Sequence, residues 1–586
     1  MALFTPSASP AVTVKEIDLT GVVPNVQTST GAFVGDFGWG AAGEVTLVSN
    51  EAGLVSTFSA PTTSNTVDFH SAAYFLKYSN SLYIVREVDS DAKNAVGSNP
   101  FTTITTKQIK NRDAFDGLEA FDDTTGSFIA KYPGTLGNSL QVSVCVQDSA
   151  STTFDSWDYK SSFDRAPGTS SFASALGASK DEIHIAVIDR DGGISGTVGT
   201  VLETFPHVSV ASNAKSVDGA SNYYRDVLKE KSSWIYAGEF YVGDSDGSSD
   251  TVGTNWDTAA TIAGENFSVG MTNVASRRDT WDFARGANST ALGTDDILRG
   301  FDKFEDKDNI EVDFLIAPES LTAGAATTVV NDLVATATAR KDCVVVASPD
   351  RAAVVTTGTT ASVITTTDTY TSSSYLFADN NYLKVFDKYN DQYIKIPAAS
   401  STAGLMASTD LVAAPWFSPA GQRRGNYLGV TDIILQPTKT DRDTLYKAGV
   451  NPVANIPGQG ILLFGDKTKI DRPSAFDRIN VRRLFLAIER AIEVAGKNVM
   501  FEFNDEFTRA EFVNIVEPFL REVQGRRGIT DFRVVCDETN NTSAVVDRNE
   551  FIASIFIKPA RSINYVTLNF VAVRTGVDFE EVVGTV

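Results

Sequence analysis

Three consecutive stretches restrict this chain most: "NIEVDFLIAP" (309–318), a run of small residues ending near Arg340, and "CVVVASP" (343–349). An apolar strand, a helix and a second apolar strand in that order make an α/β unit whose two strands lie parallel. Such a unit accounts for only a fraction of the 586 residues. That length exceeds one hydrophobic core and, at roughly 150 residues per domain, predicts about four.

The rest of the chain divides around this unit. Residues 11–19, "AVTVKEIDL", alternate enough to be a strand. The segment 31–45, rich in Gly and aromatic residues, reads as a loop whose glycines permit tight turns. A helix over 72–78 leads to a strand at 82–88, and residues 89–128 weaken into an insertion-like stretch. A Gly/Pro turn run and a strand cover 129–146, and 181–205 read as a hairpin turning at 189–193. Residues 355–376, dense in Thr and Ser, read as a loop or edge strand. Beyond them strands are expected at 461–464, 499–503, 531–536, 550–558 and 563–573, with helices over 472–497 and 507–523.

Charge is distributed unevenly. The formal net charge is −23, yet residues 421–586 hold 22 basic and 22 acidic side chains, so the first 420 carry the whole excess, 28 basic against 51 acidic. A region so acidic is soluble, self-repelling and a poor partner for nucleic acid. No apolar run approaches the roughly 18–20 residues that span a bilayer, and "MALFTPSASPAV" lacks the basic and apolar regions of a secretory signal. Cys145, Cys343 and Cys536 are too scattered for a disulfide framework or a structural zinc site and read as buried thiols.

Candidate chemistry is sparse. In "GQGILLFGDKT" (458–468), Gly460 and Gly465 have P-loop spacing, but Asp466 stands where the loop needs its lysine and would repel phosphate. "DRDGG" (189–193) begins like a calcium loop but lacks the twelfth-position Glu, and reads as a turn. His70, His184 and His207 are not paired at ligand spacing, and His184 is expected to pack across strands. No motif for catalysis rises above background, and neither a cofactor nor a metal is expected.

The densest charge lies in "RPSAFDRINVRRLFLAIERAIEVAGK" (472–497). Asn480 is a candidate N-cap and Gly496 a stop. Val481, Leu484, Phe485, Ile488, Ala491, Ile492 and Ala495 form one apolar stripe. On the remaining surface Arg483, Arg490 and Lys497 make a basic row and Glu489 and Glu493 an acidic one, with Arg482 beside them. The pattern fits a solvated, salt-bridged face or a rigid face that grips another chain.

Longer motifs resolve the class. "YLKVFDKYNDQYIKIP" (382–397), "AGLMASTD" (403–410), "PWFSPAGQRRG" (415–425), "FDRINVRRLF" (476–485), "FEFNDEFTRAEF" (501–512) and the run 533–571 follow one another in order. "FGWG" (37–40), "YPGTLGN" (132–138) and "DRDGGISGTVGTVLETF" (189–205) lie upstream. With these the sequence resembles the tail sheath proteins of contractile-tailed bacteriophages.

The resemblance implies an α+β multidomain fold: an α/β inner domain made by both chain ends, with inserted α/β and β-rich outer domains. It implies an N-terminal arm and part of the inner domain in 1–21, a middle α/β domain in 22–92 and 301–435, a β-rich outer insertion in 93–300, an inner lattice domain in 436–574 and a C-terminal arm in 575–586. Residues 89–128 stand where the longest family members carry a further outer domain. The implied activity is structural and not enzymatic: stacked hexameric rings around the tail tube contract and drive the tube through the host envelope. Implied partners are further copies, the tail tube protein, and baseplate and tail terminator proteins, with no direct nucleic acid and no membrane insertion. Assembly is expected in the host cytoplasm, and the final location in the virion. Arms including Val12, Val14, Glu16 and Ile17, and Val577, Phe579 and Val582, are expected to add strands to neighbouring subunits. The alternatives are a sheath of a phage-derived injection system such as a bacteriocin or secretion system and, more remotely, a multidomain enzyme or carbohydrate-binding protein.

Overall fold

The strand–helix–strand segment is part of a doubly wound sheet. In the computed structural model, which describes residues 29–97, 107–118, 127–146, 152–237 and 280–562, β1 (Gly31–Gly35) and β2 (Val45–Val48) precede a helix at Thr66–Phe75 and then β3 (Leu82–Arg86). The chain leaves this sheet for seven strands: β4 (Asn94–Gly97), β5 (Phe128–Pro133), β6 (Leu140–Val146), β7 (Glu182–Asp189), β8 (Thr200–Ser209), β9 (Ile235–Ala237) and β10 (Thr280–Ala284). They form an antiparallel sheet ordered β8-β7-β6-β10-β4-β5-β9.

The chain returns as β11 (Phe314–Ile316), the helix Ala323–Arg340, β12 (Val344–Ala347) and β13 (Leu376–Ala378). The first sheet reads β13-β12-β11-β1-β3-β2, parallel except for β2. A small sheet of β14 (Tyr382–Asp387), β15 (Gln392–Pro397) and β16 (Asp432–Ile433) follows, then the hairpin β17 (Val453–Ile456) and β18 (Gly460–Leu463). The antiparallel pair β19 (Ile529–Val535) and β20 (Ser554–Pro559) lies beyond the helices Ile479–Lys497 and Glu506–Gly525. The described residues divide into two compact units, one holding 29–415 and 419–482, the other 416–418 and 483–562.

Three sequence expectations are corrected. "GAFVG", expected as loop, is β1 in the middle of the parallel sheet, with Ala32, Phe33 and Val34 wholly buried. It does not alternate because both faces are covered. Its glycines serve close packing: a Cβ on Gly31 would fall 2.8 Å from the Phe75 ring, and one on Gly35 3.0 Å from Asp68. The first half of 355–376 is helical, with a π-helix at Ala352–Thr357 and an α-helix at Thr360–Thr367, and the rest up to β13 is turn and loop as expected. Thr359 and Ser362 cap that helix reciprocally, and Thr365 and Thr367 donate to carbonyls four residues back. Residues 499–503 are a turn rather than a strand, with Phe501 at φ 70.

Other expectations hold. The segment 181–205 is the hairpin β7–β8, and Asp189 closes its turn by accepting from the Ile194 and Ser195 N–H groups. His184 is buried and packs across strands, its Nδ1 accepting the His207 N–H. All three cysteines are buried free thiols. The expected strands at 11–19 and 563–573 and both arms lie outside the described residues.

Arg86, at the end of β3, joins the two large sheets. Its buried guanidinium donates to the carbonyls of Phe37 (2.8 Å) and Gly40 (2.6 Å) beyond β1, and of Pro133 (2.7 Å) at the end of β5. Carboxylates stand at or just past the C-terminal ends of the parallel strands: Asp36, Glu319, Asp350 and Asp379. Burial pushes the Asp379 carboxyl up to about 7, against lowering bonds from the Asn381 N–H and the Ser348 hydroxyl. Asp68, which accepts the Asp36 N–H, is raised to about 7 by burial and by the Asp36 charge. Asp36 rises to about 6 by burial, held back by Arg86.

These carboxyls bind a proton more tightly folded than unfolded, so their effect runs opposite to that of an ion-paired acid. Stability is greatest when they are protonated, falls as pH rises from about 4 to about 7, and is level above that range. Thermal melts are therefore expected to show higher stability at pH 5.5 than at pH 8 from this source. Asp379→Asn and Asp68→Asn should each flatten that slope and change stability at pH 8 by about 1–2 kcal/mol. An unchanged slope in both variants would refute the assignment.

Candidate interface of the C-terminal unit

The helix Ile479–Lys497 is built as its apolar stripe requires. Val481, Leu484, Ile488, Ala491 and Ala495 are buried, and Phe485 and Ile492 partly so. Asn480 is not the N-cap; it is buried in the first turn. The first N–H of the helix, on Ile479, donates instead to the Asp466 carbonyl at 2.9 Å. This Asp466 is the residue that spoils the P-loop pattern. Its carboxylate pairs with Arg478 at 2.9 Å and accepts from the Tyr446 hydroxyl at 3.2 Å, so it anchors the approach to the helix. The helix ends at Lys497, one residue past Gly496.

The charged face is smaller than expected. Arg482 and Arg483 are only 7% and 4% exposed. The Arg482 guanidinium lies 3.9 Å from the Phe476 ring centroid and 4.3 Å from that of Tyr375, and donates to the Ser374 hydroxyl. Arginine suits this place because its planar cation stacks on aromatic faces while it makes a directed hydrogen bond. Glu489, Glu493 and Lys497 face outward and Arg490 is half-buried. The basic row is thus shortened to Arg490 and Lys497, whereas the acidic row stands.

From Arg483 onward the helix shares a core with the helix Glu506–Gly525 and the β19–β20 pair. Leu484, Ile488, Phe512, Val516, Leu520 and Ile529 form its centre. Asp505 caps the second helix by accepting the Thr508 N–H at 2.8 Å, and this bond lowers its pKa. Trp416 joins the same unit, its indole N–H donating to the Arg526 carbonyl at 3.1 Å beneath the Arg526 guanidinium.

Beside this core opens a groove of about 1130 Å³ lined by Phe485, Ile492, Phe512, Phe551 and Ile555, with Glu489 and Glu493 at it. Met500, Phe501 and Phe503 of the adjoining turn also line it, and Phe507 follows in the first turn of the next helix; all four are exposed, Phe501 fully and Phe503 84%. Four large apolar side chains within eight residues are thus exposed, a density that is unusual on a protein surface. Sequence reading assigned "MFEF" to a strand and so missed it. The available signal was its apolar density between two amphipathic helices, without room for another layer.

Among the described residues no group of three or more His, Cys, Asp or Glu side chains is placed to hold a metal ion. A multidomain α+β chain with a small apolar core opening onto exposed aromatic residues has the form of an assembly subunit. The phage tail sheath C-terminal domain family matches residues 471–572, and the phage tail sheath protein central domain family residues 290–469. The tail sheath protein of Enterobacteria phage T4 is 33% identical over 662 aligned residues, with 98% of this chain and 99% of the relative covered. That of Vibrio phage KVP40 is 31% identical, with the same coverage. A crystal structure of a sheath tail protein from Listeria innocua, 11% identical, matches the fold with a TM-score of 0.52 over 91% of this chain and 96% of that one. The chain belongs to the phage tail sheath family and is a structural subunit of a contractile phage tail.

The exposed apolar turn and the buried stripe separate two kinds of residue. Phe501→Ser and Phe503→Ser are expected to leave the melting of the isolated subunit within about 0.5 kcal/mol of the parent. Leu484→Ala or Val516→Ala should cost about 2–5 kcal/mol. Chemical denaturation of the purified monomer checks both, and a large loss from the Phe variants would place those rings in the core.

Proposed function

We propose that this subunit polymerises as stacked hexameric rings around a tail tube. In this reading, the tail contracts by rotation and outward movement of subunits, which drives the tube through the host envelope. The observation that carries it is the match to tail sheath proteins over nearly the whole of both chains. The energy is stored in the assembled lattice, so no step requires nucleotide, metal or cofactor. The partners are further copies, the tube protein, and baseplate and terminator proteins, and assembly takes place in the host cytoplasm. Residues 436–574 act as the inner lattice domain and 93–300 as an outward insertion, in keeping with a balanced charge in the first and the acidic excess upstream. The segments around Val12–Ile17 and Val577–Val582 serve as arms that add strands to neighbouring subunits, where backbone hydrogen bonds join chains with little demand on side chains.

Within the C-terminal unit, the outward residues Glu489, Glu493 and Lys497 of the long helix, with half-buried Arg490 beside them, meet the tube or a neighbour. Arg490→Glu combined with Lys497→Glu is expected to reduce assembly on tubes severalfold while changing monomer stability by less than about 1 kcal/mol. Removal of residues 1–19 or 576–586 should leave a folded subunit that forms no stable lattice. Electron microscopy of tails assembled from each variant is the test. Normal contractile tails from the truncations would refute the arms, and normal assembly of the double variant would make the helix face ordinary surface.

A further inference from the structure

The small sheet β14–β15–β16 has one face in the core and one in solvent. Leu383, Val385 and Ile394 point inward, and Lys384, Phe386, Tyr393 and Lys395 lie on the other face. Phe386 is 44% and Tyr393 58% exposed, yet their rings pack edge to face with centroids 5.4 Å apart. They are directly paired across the strands, as are Lys384 and Lys395, and the Lys384 ammonium lies 5.0 Å from the Tyr393 ring centroid. One carboxylate, Asp432, stands across from Lys384 on β16. An edge-to-face aromatic pair with two lysines is unusual in a region where acidic side chains outnumber basic ones 51 to 28. Aromatic rings held in place and flanked by cations form a ready contact for an acidic protein surface.

The same chain carries the complement. Segment 302–311, "DKFEDKDNIE", exposes Asp302, Glu305, Asp306, Asp308 and Glu311 against Lys303 and Lys307. Crowding there is felt by Asp332 on the neighbouring helix, whose pKa is raised by burial and then by the charges of Asp302 and Glu305. The placement of the two surfaces matters. The acidic segment precedes β11 at the N-terminal edge of the parallel sheet, and the hairpin follows β13 at its C-terminal edge. A contact between them joins opposite edges of two copies, head to tail, and head-to-tail contacts generate rings or helical filaments.

We propose that the exposed β14–β15 face, with Phe386, Tyr393, Lys384 and Lys395, docks the acidic segment 302–311 of a second copy of this chain. The inference rests on the assembly reading above and adds to it a particular pair of surfaces, distinct from the arms and from the C-terminal helix.

Charge exchange in the full-length chain tests it. Lys384→Glu with Lys395→Glu, and separately Glu305→Lys with Asp308→Lys and Glu311→Lys, should each raise the critical concentration for polymer by about tenfold or more, because like charges then face each other. Combining both sets restores opposite signs and should return the concentration to near that of the parent, as read by sedimentation and negative-stain microscopy. Melting curves establish that each variant is folded. Lys384→Gln with Lys395→Gln, which removes charge without introducing repulsion, should give a smaller increase that disappears at high salt. If either charge-reversed set polymerises like the parent, or the combined chain remains as impaired as its components, the contact is overturned while the assembly reading stands. If the unmodified chain forms no polymer under any salt condition, the assembly reading falls and the contact with it.

Discussion

The buried guanidinium of Arg86 is the joint on which the larger unit depends. An arginine is almost never buried without partners, because withdrawing its charge from water costs several kcal/mol. Here burial lowers its pKa to about 10, with the Asp36 carboxylate as the first opposing charge. What holds it are three carbonyls from separate places: Phe37 and Gly40 after β1, and Pro133 at the end of β5. The cation thus ties the end of β3, where the chain leaves the parallel sheet, to the end of β5 in the antiparallel one. The Gly134 backbone shows how tight this joint is, since a Cβ there would fall 2.7 Å from the Gly38 carbonyl oxygen. "FGWG" and "YPGTLGN", separate in the sequence, are the two sides of this joint.

Much of the fold was legible in the sequence where one period dominates. The long helix, the β7–β8 hairpin and the β11–helix–β12 unit each follow one repeat and end on recognisable punctuation. The misreadings arise where tertiary context replaces local signals. Gly-rich β1 reads as loop because its glycines serve helix packing rather than turning. The Thr-rich run at 360–367 becomes helix because its hydroxyls find carbonyls within the helix, and because Thr366 also reaches Asp350. Arg482 and Arg483 sit on the charged face of a helical projection yet are buried, and for Arg482 the side chains that bury it, Tyr375 and Phe476, come from outside the helix. No periodicity analysis of one segment can supply that. The aromatic segment 500–507 reads differently for another reason: its apolar density fits a strand, whereas the chain turns there and leaves the rings exposed.

The two units also differ in how complete their cores are. The parallel sheet has helices on its faces, parallel strands that are almost wholly buried, and Arg86 tying it to the antiparallel sheet. In the C-terminal unit the described sheet is a pair of strands, a form that is marginal in water without further strands or helices against it. Two helices supply that support on one side, and a groove and four exposed apolar side chains remain.

That asymmetry bears on how a contractile lattice can change shape without unfolding its subunits. A close-packed core resists small displacements and stores strain poorly except by breaking. Contacts made through added strands and exposed aromatic rings can be exchanged at lower cost, because backbone hydrogen bonds re-form in a new register and charged faces slide within a screening length. If lattice energy resides in such contacts, the rigid parts must be insulated from them. The acidic surface of the larger unit, the basic-aromatic face of β14–β15 and the apolar turn at 500–507 are all outside the cores, carried by elements whose inner faces are fixed. A subunit so built can keep each core intact while the surfaces proposed above to associate change partners.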